Sequence, residues 1–210
     1  MEVSLWSVEV TICIIYNQCH ITFAALFLHS ATYLLGIMEF RNGNTFATTA
    51  FTSYGIFWWT LCFLWSFPKM YFQTADGEFV PLAAKPPVDF VAWYLFIWGL
   101  FTLFMFFGTL KKDYTIRFVF GALATLFFLL AIRDWLEAGE FHGASNVVGK
   151  IAGWEGIVTG ISAMYYAMAQ VINAEHGRVI MPIGAVTPVV KKDEGKVEAG
   201  IEEEREKLTA

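Results

Sequence analysis

Charged side chains are scarce in this chain of 210 residues. Asp, Glu, Lys and Arg make up 16% of the residues, whereas about 25% is usual in soluble domains. The formal net charge is −5, so the chain has no excess of basic groups to neutralise nucleic-acid phosphates. These values exclude a disordered chain, a coiled coil and a nucleic-acid-binding protein, and we expect no nucleic-acid partner.

Cysteines and clustered reactive groups are also few. The three cysteines, Cys13, Cys19 and Cys62, include no C-x-x-C pair, which argues against a disulfide framework and a thiolate zinc site. The apolar segments contain no paired carboxylates, no histidine cluster and no nucleophile beside a base, and His20 and His29 are nine residues apart. We therefore expect no enzymatic activity, no metal and no cofactor.

Hydrophobic and aromatic residues, in contrast, are abundant. They account for 57% and 18% of the chain, and the mean hydropathy is +0.53. A domain of this size in water could not bury so many large apolar side chains, so the expected solvent is a lipid bilayer. Long apolar segments approach the ~20 residues that span a membrane, and we predict an all-α membrane protein. The segments are 21–40, 46–67, 88–110, 118–132 and 151–173.

The remaining segments divide the chain into three parts. Residues 1–20 form an atypical N-terminal segment, 21–184 a transmembrane helical bundle, and 185–210 a charged tail that we expect to be disordered. Polar loops are predicted at 68–87 and 133–150. Ten Lys and Arg residues, half of them in the tail, fall on one side of the predicted bundle and four on the other. By the positive-inside rule the C-terminus is cytoplasmic.

The span that starts at Thr45 carries an unusual number of hydroxyl groups. Asn44 just before it is a good helix N-cap. The hydroxyls belong to Thr45, Thr48, Thr49, Thr52 and Ser53. They can satisfy themselves on the carbonyl four residues earlier, or they can line a path for a small polar solute at the positive end of the helix. Both interpretations stay open.

The last span presents a face of small residues. They recur at steps of three and four, at Gly153, Gly156, Gly160, Ala163 and Ala167. Such a face allows close approach of two helices in lipid. The alternative is that the neighbouring Thr159 and Ser162 line a pore.

Several of these segments resemble the acetate uptake transporter family, which includes bacterial succinate–acetate permeases. The resemblance is carried by Gly-Asn-Thr-Phe at 43–46 and Ala-Phe-Thr-Ser-Tyr-Gly at 50–55, and it extends over 33–184 in all. Further matching stretches lie at 98–99, 101–111, 129–132, 152–154 and 177–184.

The resemblance implies a six-helix protomer with both termini in the cytoplasm, assembled as a homo-hexamer in the plasma (inner) membrane. It also implies a hydrophobic constriction in each protomer, formed by a Phe, a Tyr and a Leu. The Tyr falls on Tyr54 and the Leu on Leu123. The Phe belongs to the first helix and cannot be placed in this sequence, which lacks the Asn-Pro-Ala-Pro-Leu-Gly motif that leads into that helix. We therefore expect the first helix to be atypical or incomplete.

The expected function is transport of acetate, other small monocarboxylates and succinate, by a channel or permease. Two other hypotheses stay open: a membrane scaffold that kept the bundle and lost the gate, and ammonium-linked transport. The predicted substrate pathway is lined by polar residues of two spans. They are Asn44, Thr45, Thr48, Thr52, Ser53, Thr159 and Ser162.

Overall fold

Five long helices make up most of the protein. The computed structural model describes residues 18–69, 71–73, 78–81 and 83–184. The predictions for 1–17 and for the tail at 185–210 lie outside the described residues. The helices are α1 (Gln18–Arg41), α2 (Thr45–Ser66), α3 (Val88–Gly108), α4 (Tyr114–Ala138) and α5 (His142–Glu175).

Each of the five predicted spans is a helix, so the prediction of an all-α fold is confirmed. Among the described helices, α3 and α4 are long and apolar enough to cross a membrane by composition alone, with mean hydropathies of 2.0 and 2.1. The other three are diluted by hydroxyl, amide or glycine residues. Many large apolar side chains point outward, among them Phe104 and Trp154, which are 73% and 72% exposed.

Short connections make neighbouring helices pack side by side. α1 lies against α2, α3 against α4, and α4 against α5. Gly43 reverses the chain between α1 and α2 with φ +70°, a conformation in which a side chain is strained. The longer link from α2 to α3 contains a 3₁₀ turn, Phe67–Lys69, and a two-stranded hairpin of β1 (Tyr71–Gln73) and β2 (Phe79–Pro81).

The predicted polar loop at 133–150 is wrong. Apart from residues 139–141 the whole segment is helical, and Glu140 turns the chain with φ +62°. The charges that indicated a loop are accommodated within the helices: Arg133 forms an ion pair with its neighbour Asp134, which is buried. Composition alone misled here, because a helix end at a membrane surface tolerates charge as well as a loop does.

Three helices share one apolar core. Phe57 and Leu61 of α2 meet Leu95 of α3 and Phe127 and Ala131 of α4, and all five are buried. Phe57 is fully buried and makes edge-to-face or stacked contacts with four aromatic rings. Aromatic pairs of this geometry each add about 0.5–1.5 kcal/mol beyond the area that they bury.

The small-residue face of α5 is only partly at a helix contact. Gly160 and Ala163 are buried, and a Cβ added at Gly156 would lie 3.7 Å from Leu126 of α4. Gly153 is exposed, and a Cβ there would meet no atom within 4 Å. The predicted helix contact thus lies at Gly156, Gly160 and Ala163, the middle of the face, and Gly153 lies outside it.

Among the described glycines of α1 and α2, Gly36 leaves the least room for a Cβ atom. A Cβ at this position would lie 2.8 Å from the backbone nitrogen of Thr52, and backbone cannot move aside as a side chain can. We expect Gly36→Ala to destabilise the protein by about 1–3 kcal/mol. Gly153→Ala is the matched control. Thermal unfolding in detergent, followed by size-exclusion chromatography, should show a lower midpoint for the first variant alone; equal midpoints would contradict the packing.

Candidate functional site

The start of α2 is fixed by Asn44. Its side-chain oxygen accepts a hydrogen bond from the Ala47 amide at 3.2 Å, as the N-cap prediction requires, and its Nδ2 donates to Glu39 at 2.7 Å. The amide therefore ties the end of α1 to the start of α2. Asn44 is a predicted pathway residue, and both polar atoms of its exposed side chain are hydrogen-bonded to neighbouring residues.

Three of the α2 hydroxyls donate to their own helix. Thr48, Thr49 and Thr52 donate to the carbonyls of Asn44, Thr45 and Thr48 at 2.9, 2.9 and 2.7 Å. For these three, the self-satisfied arrangement left open by the sequence is the one observed. Each oxygen still has a free acceptor lone pair, so the hydroxyls can accept a hydrogen bond from a solute more readily than they can donate one.

Tyr54 lies between α2, α3 and α4. Its hydroxyl donates to Thr102 Oγ1 at 2.9 Å, and Thr102, which is fully buried, donates in turn to the Trp98 carbonyl at 2.8 Å. The ring of Tyr54 contacts those of Phe101 and Phe120 at centroid distances of 5.8 and 6.2 Å. A polar phenol is thus held inside an aromatic environment by one hydroxyl partner.

Leu123, on α4, packs against the same apolar core as Tyr54. Both Leu123 and Tyr54 are half-buried and pack against the five-residue core of Phe57, Leu61, Leu95, Phe127 and Ala131. The two residues assigned to a constriction by resemblance are therefore brought to one cluster. Its members and the side chains packed on it are apolar or aromatic.

Thr159 and Ser162 lie on α5, which packs against α4. Thr159 is fully buried and donates to Glu155 Oε1 at 2.8 Å, while Ser162 donates to the Thr159 carbonyl at 2.8 Å. Sequence reasoning overlooked Glu155 as an interior group because it placed the start of this helix at residue 151. It also overlooked Thr102, which could have been recognised as a single hydroxyl residue within an aromatic-rich segment.

The fold is that of an all-α membrane protein. The chain belongs to the GPR1/FUN34/yaaH family, whose profile matches residues 7–187. The two described relatives reported below are a symporter and a channel.

Three similar proteins illustrate the family. A protein of Methanothermobacter thermautotrophicus without a described activity is 49% identical over 152 residues, 72% of this chain and 70% of that protein. The succinate-acetate/proton symporter SatP of Escherichia coli K12 is 44% identical over 154 residues, 73% of each chain. The solved structure of the bacterial acetate channel SatP superimposes with a TM-score of 0.71 at 38% identity, over 87% of this chain and 91% of that one.

The Tyr54–Thr102 pair predicts an asymmetric response to mutation. Thr102→Val keeps the shape of the side chain but leaves the phenol unpaired, which should cost about 1–3 kcal/mol. Tyr54→Phe combined with Thr102→Val removes both partners and should cost less than Thr102→Val alone. Thr125→Val is the control, because the Thr125 hydroxyl is exposed and donates to the Gly121 carbonyl of its own helix. Thermal unfolding of the parent and the three variants measures the difference, and a double variant that is no more stable than Thr102→Val would argue against the pair.

Proposed function

We propose that the protein carries acetate and other small carboxylic acids, including succinate, across the plasma membrane, and that it is not an enzyme. The activities described for the SatP relatives support this. Within the structure, transport is best supported by the packing of Tyr54 and Leu123 against one apolar cluster that three helices share. We assign the constriction to these two residues.

The polar residues of α2 and α5 are assigned to the rest of the pathway. We propose that the entrance is at the start of α2 and that α5 contributes to the wall. The entrance residues are Asn44, Thr45, Thr48, Thr52 and Ser53, and those of the wall are Thr159 and Ser162.

The constriction at Tyr54 and Leu123, called the neck below, is apolar and offers hydroxyl groups mainly as hydrogen-bond acceptors. Such a site favours the undissociated acid over the carboxylate. A carboxylate needs donors, but the hydroxyls of Thr48, Thr52 and Tyr54 already donate within the protein. An ionised group without partners in an apolar site is costly, whereas an undissociated acid needs only an acceptor and a place for its alkyl group. Apolar constrictions also gate by dewetting. We therefore propose that the acid passes the neck undissociated.

Uptake of labelled acetate into proteoliposomes tests the function and the constriction together. Protein-dependent uptake above that of protein-free vesicles is expected; its absence would favour a scaffold that does not transport. Leu123→Ala and Tyr54→Ala should widen the neck and raise the ratio of lactate to acetate uptake by on the order of tenfold, the discrimination that an apolar contact of this size gives.

Two controls accompany these variants at equal protein content. Tyr54→Phe keeps the ring and should leave size selection nearly intact. Leu129→Ala removes the same volume elsewhere on α4. If the alanine variants leave the ratio unchanged, Tyr54 and Leu123 are packing residues and the constriction lies elsewhere.

We also infer a homo-hexamer whose 185–210 tail lies in the cytoplasm. The distribution of basic residues supports the orientation, and outward-facing side chains such as Phe104 and Trp154 are available for contact between protomers as well as with lipid. Native mass spectrometry from a mild detergent should give a species of six chains; monomers alone would contradict the assembly. Protease protection of the tail in sealed right-side-out vesicles tests the orientation.

A further inference from the structure

Glu155 is a half-buried acidic side chain on α5, the last helix of the bundle. α5 begins at His142, so Glu155 lies about 20 Å along the helix at ~1.5 Å per residue. It is the one ionisable residue of α5 between Lys150 and Tyr165. Glu155 falls within the predicted span 151–173, and an ionisable group in a membrane span is costly and usually serves a function.

The two carboxyl oxygens of Glu155 have different surroundings. Oε1 accepts a hydrogen bond from Thr159 Oγ1 at 2.8 Å. Oε2 is buried and has no hydrogen-bond partner among the described residues. Because Oε1 accepts the hydrogen bond from Thr159, Oε2 is the oxygen on which a proton would reside.

Among the described residues, no basic side chain forms an ion pair with this carboxyl group. α4, the helix packed against α5, has no titratable residue between Arg117 and Arg133, and its Leu126 lies opposite Gly156. Of the titratable side chains on α1, His29 stacks on Trp58 and Glu39 accepts a hydrogen bond from Asn44. A buried carboxylate without a cation or a second donor is expensive, so proton binding is the plain way to relieve the cost.

We propose that Glu155 binds a proton within the membrane and passes it to the carboxylate in transit. The O–H bond at Glu155 Oε2 breaks and leaves its electron pair on that oxygen, while a new O–H bond forms on the substrate. The products are a Glu155 carboxylate and an undissociated acid, and Glu155 then regains a proton from water. This proposal rests on the proposed transport function and supplies the neutral acid that the neck requires.

The pH profile of acetate uptake tests the assignment. In proteoliposomes of phosphatidylethanolamine and phosphatidylglycerol, with protein-free vesicles subtracted, Glu155→Gln should match the parent at low pH, where acetic acid is already undissociated. Near neutral pH the variant should fall below the parent by about tenfold, a difference equivalent to about 1.4 kcal/mol in the barrier. Glu155→Asp, which keeps a carboxyl group, should recover part of that loss. Glu175→Gln, at the exposed end of the same helix, should leave the profile unchanged.

Infrared difference spectroscopy gives a second measurement that does not depend on transport. Between acid and neutral pH the parent should show the C=O band of a buried protonated carboxyl group, and Glu155→Gln should lack it. Identical spectra, or identical uptake profiles at every pH, would overturn the inference about Glu155. Loss of uptake in Glu155→Gln at low pH as well would mark the residue as structural and would overturn it too. If the parent itself takes up no acetate at any pH, the transport function fails instead.

Discussion

Phe57 is the side chain on which α2, α3 and α4 meet. It is fully buried, and the rings of Trp58, Trp98 and Phe127 lie 4.5, 4.9 and 5.1 Å from its own. Lipid chains are as apolar as these side chains, so the hydrophobic effect does little to hold helices together inside a membrane, and shape complementarity must do so. Interlocking rings meet that need, and they set the positions of Tyr54 and Leu123, which pack against the same core.

The same environment dictates how polar groups are arranged. Without water, an unpaired hydroxyl is costly, and the hydroxyls of Thr48, Thr49 and Thr52 donate to backbone carbonyls one turn earlier. Tyr54 finds it in Thr102. These bonds use up the donors and leave acceptors, so a requirement of stability also determines what kind of solute the interior can receive. A solute that brings its own donor suits this interior better than an anion does.

Hydropathy was enough to predict the five helices, because long apolar runs have few alternatives in lipid, and Asn44 was recognisable as an N-cap from local chemistry alone. The loop predicted at 133–150 was wrong because charge was taken as a sign of irregular backbone. That error moved the apparent start of α5 toward Glu155, so the distance of Glu155 from the helix end was not recognised. The convergence of Tyr54 and Leu123 came from resemblance; spacing along one chain could not show which helices meet, nor that Thr102 would face Tyr54.

The neck and Glu155 have complementary roles in the proposed transport: the neck requires a neutral acid, and Glu155 can supply the proton. An apolar neck favours an undissociated acid, yet near neutral pH a carboxylic acid with an ordinary pKa is almost entirely ionised in water. A narrow neck alone would therefore act on a very small fraction of the solute. A proton held within the bundle changes this, since the acid can enter as an abundant anion and become neutral only where neutrality is required. Thr159, by occupying Oε1, keeps the proton on the oxygen that has no other partner. On this view the cost of burying Glu155 without a counter-charge and the cost of moving a carboxylate through an aromatic core are relieved by one event, the transfer of a proton between them.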